Sequence, residues 1–362
     1  MFVIWSVTSF ILEVPSGAWA DLVDRRLLLA VSGPIYAAGF ATWILWPSYA
    51  GFAAGFVLWG LSGALMSGTF EAFIYDELAA RGATDAYAGL LGHANAAATA
   101  ASLVATALAA PLYGWGGYAA VAWVSVAVAL LHGLLAWSLP AAPAVEHVDG
   151  QRYLHLLREG IGEAARHAPV RRLVIIGASL YGLTAYDEYF GLVALEAGAT
   201  TDQVPLLVAL AIAGQLAGTA LAGRTASLPP RAMAAIVTGA GVLTAAGALA
   251  GHPLGFVAIA AGYGLTENVA VVADAKLQDA ITGPARATVT SLSGLSAEVV
   301  AVAIFLAIAA GSSCLAVSTL LALATVPVLG IAAAVRAWWP APNVTRRRTL
   351  RPRSIRDRGP AV

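Results

Sequence analysis

Basic residues in this chain occur only in every second gap between long apolar stretches, and that alternation fixes the solvent before any fold is considered. Eleven stretches, near 1–20, 27–46, 50–76, 86–111, 117–139, 171–196, 203–223, 231–250, 254–277, 286–311 and 313–338, are long enough to cross a hydrocarbon core of about 30 Å, for which a helix needs about 20 apolar residues. Arg25 and Arg26 follow the first stretch, Arg81 the third, and Arg152, Arg158, Arg166, Arg171 and Arg172 the fifth. Next come Arg224 and Arg231, then Lys276 and Arg286, then Arg336 and the tail. The intervening connections, "WPSYAG", "YGWGG", "GHP" and "GSS", carry none. Cytoplasmic loops hold the excess of positive charge, so the basic connections are expected inside. A large helical core in water gives no reason for such alternation. The C-terminus is then cytoplasmic and, with eleven spans, the N-terminus lies outside.

Composition agrees. The chain is 59% hydrophobic and 11% charged, against about 25% charged in soluble domains. Twenty basic and twenty acidic residues balance to zero, which argues against a nucleic-acid partner. One cysteine, Cys314, permits no internal disulfide and suggests no metal cluster. No phosphate loop or nucleophile triad is present, so no enzyme is expected. Every basic residue but Lys276 is Arg, and Ala and Gly abound. These are amino acids of GC-rich codons, and a bacterial inner membrane is the expected location.

The chain divides at its longest connection. Residues 1–139 hold five spans. Residues 140–170 start as a Pro/Ala linker and continue with Leu154, Leu157 and Ile161 at helical spacing, an expected amphipathic helix on the inner membrane surface. Residues 171–338 hold six spans, and 339–362 form a basic tail expected to be disordered beside anionic headgroups. The fold class is all-α and membrane-embedded, in two bundles of five and six spans.

The motif "GAWADLVDRR", 17–26, resembles the loop after the second helix of the major facilitator superfamily, with Gly17, Asp21, Arg25 and Arg26 at matching positions. Leu22 and Asp24 stand where that motif has Arg and Gly. "SGTFEAFIYDEL", 67–78, and "ARATVTSLSGL", 285–295, resemble the inner ends of the family's fourth and eleventh helices in bacterial drug-efflux-like members. The resemblance covers nearly all of 1–338. It implies a two-bundle fold usually of six plus six helices, so the family's first helix is missing here. Either Met1 is internal to a longer reading frame, or the protein has eleven helices. The resemblance also implies a cytoplasmic gating motif built from Gly17, Asp21, Asp24, Arg25, Arg26 and Arg286, with Asp21 against the start of the helix near Arg286, where the dipole favours an anion.

Six carboxylates lie within the spans: Glu13, Glu71, Asp187, Glu188, Glu267 and Glu298. Intramembrane ionisable groups are costly and mark functional sites by default. None has a Lys or Arg deep in a span as partner, and a carboxylate so placed takes up a proton readily, as a proton carrier must; a cation site needs the same residues. Glu13 lies roughly 12 Å and Glu71 roughly 8 Å from the inner edge at 1.5 Å per residue, so capping and gate contacts are the expected roles of these two. Glu267 also sits in the inner half of its span. Asp187 and Glu188, in the Tyr-rich "SLYGLTAYDEYFGL", are candidates for a cationic or amphipathic ligand. As helix neighbours they point about 100° apart, so at least one should contact another helix. Glu298, preceded by Ser291, Ser293 and Ser296, is the next candidate, with an interhelical hydrogen bond as its structural alternative. His93 and His132 are expected to be packing or hydrogen-bonding residues. Two departures weaken an antiporter signature: Trp59 stands near the place of an expected Arg, and "TALAAPLYGW", 106–115, keeps Pro111 and Gly114 but replaces other glycines.

The expectation is a secondary active transporter driven by the proton gradient without a bound cofactor, exporting cationic or amphipathic small molecules as a monomer among membrane lipids. The alternatives are transport of a neutral metabolite and a non-transporting, truncated membrane protein.

Overall fold

A computed structural model describes residues 1–83, 86–140, 162, 166–281 and 286–340. Thirteen helices occur among the described residues. They are α1 Phe2–Leu22, α2 Arg25–Leu45, α3 Tyr49–Met66, α4 Thr69–Ala80 and α5 Tyr87–Trp137, then α6 Ala168–Leu183, α7 Phe190–Glu196, α8 Val204–Thr225, α9 Pro230–Leu249, α10 Gly255–Ala280, α11 Arg286–Gly311, α12 Val317–Ala324 and α13 Pro327–Trp338. No strand occurs among them. Eight of the helical stretches are long and apolar enough to cross a membrane. The expected linker helix and the basic tail lie outside the described residues.

Breaks fall where the chain chemistry allows them. Gly68, at φ 69°, separates α3 from α4, in the left-handed region that glycine enters at little cost. Gly117, at φ 62° and ψ −160°, breaks α5 into two crossing segments with Gly116. Pro327 has no N–H to continue the helix, and α12 ends before it. One break was not expected. The stretch 171–196 is not a single α-helix: Thr184–Tyr189 is a 3-10 turn between α6 and α7. Asp187 and Glu188 therefore point about 120° apart, not 100°.

Helices approach through small residues, which in lipid substitute backbone contact for a hydrophobic drive. Gly33 of α2 meets Gly133 of α5, where an added Cβ would lie 2.5 Å from the Gly133 nitrogen. Gly214 and Gly218 of α8 seat on Ala260 and Gly264 of α10. Gly262 seats on Ala240 and Thr244 of α9, and Gly182 on Ala297 and Val300 of α11. Asn268 locks the α8–α10 seam: its Nδ2 donates to Gly218 O at 2.8 Å, and its Oδ1 accepts from Thr225 at 2.8 Å. These contacts make α10 the most enclosed of the membrane-length helices, with 72% of its apolar window buried. Two sets of helices result, α1–α5 and α6–α13, which meet mainly where α1 packs on α11 and α5 on α8.

Candidate functional site

The most enclosed helix carries the centre of the site. Tyr263 and Glu267 stand one turn apart on α10 and share a face. The Tyr263 hydroxyl donates to Asp187 Oδ2 at 2.7 Å, tying the 3-10 turn to α10. Glu267 is 6% exposed, lies within electrostatic reach of Asp187, and is met by the Gln215 side chain of α8. Tyr186 is buried beside them, with its hydroxyl towards Thr266 and Thr244. Thr266 donates its own proton to Gly262 O at 3.1 Å, which leaves its lone pairs for Tyr186. Phe190 packs edge-on to Tyr263 at 5.5 Å and closes the cluster on one side. Two carboxylates thus share a wall of phenols and amide with no Lys or Arg among the groups acting on them. Such a site can hold a proton or a small cation, because charge there has no other compensation.

Glu188 turns the other way. It is half-buried and lies within electrostatic reach of Tyr36 on α2, across the gap between the two helix sets. Tyr36 stacks on Trp59 at 5.5 Å and 12°. Around Trp59 stand Trp5, Phe40, Trp43 and Phe56, at centroid distances of 5.6, 6.2, 5.6 and 5.9 Å. This aromatic cluster faces a carboxylate, an arrangement suited to cation–π contact. Beside it, Phe2 of α1 touches Phe305 of α11 at 5.4 Å and Tyr189 at 5.6 Å, joining the two sets.

The structure therefore brings Asp187 and Glu267 together, turns Glu188 about 120° away from Asp187 though still within its electrostatic reach, and leaves Glu71 and Glu298 outside the cluster. At least one of Asp187 and Glu188 was expected to contact another helix, and Asp187 does so through Tyr263 of α10. Glu267 is a core residue of α10. Glu71 lies in the first turn of α4, near Tyr87, with Oε2 buried and without a hydrogen-bond partner among the described residues. Glu298 is half-buried on α11, and Ser296 bonds back to Leu292 O at 2.7 Å. His132 Nε2 lies 3.2 Å from Ser32 Oγ, and Ser62 donates to Ser32 O at 3.0 Å, a structural thread through α2, α3 and α5. His93 Nδ1 contacts Gly89 O at 2.6 Å within its own helix.

Of the gating motif, Asp24 caps α2 by accepting from the Arg26 N–H at 2.8 Å. Arg25 is buried and pairs with Asp76 of α4. Arg26 lies over the Trp137 ring at 5.0 Å and donates to Leu139 O at 3.4 Å. The basic pair is thus engaged with α4 and α5. Gly17 sits in α1, and the side chains of Glu13, Asp21 and Arg286 lie outside the described residues. Sequence reasoning missed Tyr263 and Gln215. The one available signal for Tyr263 was its spacing of four from Glu267 on a helix face.

The sequence matches the model of the Major Facilitator Superfamily over residues 1–306. Among curated proteins none matches in sequence. The fold is similar to that of a mutant form of the nucleoside transporter NupG, at 11% identity and TM-score 0.73, covering 93% of this chain and 90% of that one. It is also similar to a bacterial homologue of the human lysosomal transporter Spinster in an inward-facing, unoccupied conformation, at 16% identity and TM-score 0.63, covering 93% and 87%. A mutant form of the E. coli fucose:proton symporter FucP matches at 17% identity and TM-score 0.54, covering 92% and 90%. A helical chain with membrane-length spans, a carboxylate cluster between packed helices and this family match belongs to the major facilitator superfamily: it is a multi-pass membrane protein of transporter fold, not an enzyme.

Proposed function

We propose that the chain is a proton-coupled exporter of cationic or amphipathic small molecules in a bacterial inner membrane, with eleven spans, its N-terminus outside and its C-terminus inside. The observation that carries this reading is the nearness of two carboxylates, half-buried Asp187 and buried Glu267, with no Lys or Arg among the described groups acting on them. A proton, or a substrate cation, supplies what the site lacks. Glu188 and the aromatic cluster around Trp59 form the second part, where a flat or amphipathic cation finds ring faces and a counter-charge. The contacts of Phe2 with Phe305 and Tyr189 bridge the two helix sets beside this second part. Rocking of the two helix sets about the gap between them is alternating access.

The test is transport in inside-out vesicles with an imposed proton gradient and a panel of fluorescent cations. Accumulation that follows the gradient, and stops in Asp187→Asn and Glu267→Gln, is the expected result. Gradient-independent uptake, or uptake unaffected by both substitutions, removes the proton-coupled reading. The same vesicles loaded with uncharged sugars and nucleosides test carriage of a neutral metabolite, the class named for the fucose and nucleoside carriers of similar fold.

A further inference from the structure

On the outer surface of α2 and α5 lies a groove of about 450 Å³, walled by Leu27, Val31, Pro34, Leu130, Leu134 and Trp137. Its depth comes from the glycine contact: Gly33 and Gly133 bring the two backbones together and leave no side chain at the seam. Its walls are apolar throughout, and Leu134 at 68% exposed faces outward, which in a membrane protein means towards lipid. From Leu27 to Pro34 it rises roughly 10 Å at 1.5 Å per residue, so it runs from the membrane surface into one leaflet.

One end of this groove is charged. Arg26 spreads its guanidinium over Trp137 at 5.0 Å and gives one Nη1–H to Leu139 O. Its Nε is buried without a hydrogen-bond partner, 3.8 Å from Asp24 Oδ2, and no described side chain or carbonyl meets Nη2. Arg26 also opens α2, where the helix dipole favours an anion. Asp24 offsets part of this charge, but its carboxylate is committed to capping the same turn. A second membrane-facing groove, of about 340 Å³ between α9 and α12–α13, is lined by apolar residues together with Thr238, Thr319 and Thr325. Neither lining itself holds a charged residue; what marks the α2–α5 groove is Arg26 lying over its wall residue Trp137.

We propose that the α2–α5 groove is a binding site for one anionic phospholipid of the leaflet on the Arg26 side, with an acyl chain between Val31 and Leu134 and the phosphate on Arg26. The aliphatic walls exclude water along the chain, the open Nη2–H and the helix start take the phosphate oxygens, and Trp137 sits at headgroup depth as interfacial tryptophans do. This rests on the membrane location of the chain and not on what it carries, so its test reads lipid contact and not transport.

The experiment places the full chain in nanodiscs of phosphatidylcholine containing equal fractions of dibrominated phosphatidylglycerol or dibrominated phosphatidylcholine. The Trp137 emission is isolated as wild type minus Trp137→Phe. Brominated phosphatidylglycerol is expected to half-quench Trp137 at about fivefold lower mole fraction than the zwitterionic lipid, the preference that one cationic residue supplies near a membrane surface. Arg26→Gln is expected to abolish the preference while leaving quenching by both lipids. Val31→Phe, which fills the groove and keeps Arg26, should weaken quenching by both. Equal quenching by the two lipids in wild type, or a preference that survives Arg26→Gln, overturns the proposal. Absence of quenching by either lipid does so too, because protein then covers the groove. Should Arg26→Gln fail to insert, Arg26→Lys and Val31→Phe still decide: Arg26→Lys should keep the preference, Val31→Phe should weaken quenching by both lipids, and full quenching by both in Val31→Phe overturns the proposal.

Discussion

The close seating of α8 on α10 positions the carboxylate cluster, and Gly218→Ala tests it. An added Cβ would overlap Gly264 O and lie 2.5 Å from the Gly264 carbonyl carbon. Ordinary carbon contacts are about 3.5 Å, so the two helices must part by roughly 1 Å. The obstructing atoms are backbone and cannot rotate away. Overpacking of this kind costs about 1–3 kcal/mol. Parting the helices also stretches the 2.8 Å bond from Asn268, a buried amide, to Gly218 O, which adds about 1 kcal/mol. The helix-propensity gain of Gly→Ala offsets about 1 kcal/mol of this, which leaves a net loss of about 1–3 kcal/mol. Gly223, later on the same helix, has nothing within 4 Å of an added Cβ, so Gly223→Ala keeps the gain without the clash. Reversible unfolding in mixed micelles compares the two. Gly264 stands one residue from Tyr263 and three from Glu267, so transport should also fall in Gly218→Ala and persist in Gly223→Ala. Equal stability of the two variants would refute the reasoning, since only the close contact distinguishes them.

Other outcomes follow from single contacts. Breaking the Arg25–Asp76 pair with Arg25→Gln leaves a carboxylate that is 27% exposed without its partner, and should cost about 3 kcal/mol, with part recovered by adding Asp76→Asn, as a double-mutant cycle in the same unfolding assay would show. Glu196, at the end of α7, accepts from the Val317 and Ser318 N–H groups at 2.8 Å each and so caps α12; Glu196→Ala should lower stability by about 1 kcal/mol, read by the same unfolding. Trp59→Ala removes the ring that touches five other aromatic side chains, and should weaken binding of a fluorescent aromatic cation about tenfold by titration in nanodiscs while a small aliphatic ammonium is little affected.

The helical stretches were legible because apolar length and loop charge are local properties: α9 spans 230–249 where 231–250 was expected, and α2 spans 25–45 where 27–46 was expected. The Gly68 and Pro327 breaks have visible chemical causes. The 3-10 turn at 184–189 does not, for "TAYDEY" contains neither Gly nor Pro, and its geometry comes from tertiary contacts of Asp187 with Tyr263 and Tyr189 with Phe2. Asp187 and Glu267 stood out in the sequence because charge is rare inside apolar spans. Their proximity did not, since it depends on how α10 is seated against α6 and α8. Tyr263 was hidden for a related reason: a tyrosine in an apolar helix gives no sign that its hydroxyl has a distant partner. The pairing of Arg25 with Asp76, 51 residues apart, is likewise a property of packing.

The central claim of the proposed function is that proton movement is coupled to substrate movement through the site that holds Asp187 and Glu267. Proteoliposomes with a pH-sensitive dye trapped inside, and ethidium added to drive countermovement, measure this directly. The account predicts a substrate-dependent pH change in wild type that Asp187→Asn abolishes, while ethidium still binds through Glu188 and the Trp59 cluster. A pH change of the same size in Asp187→Asn would contradict it and would place proton exchange elsewhere in the molecule.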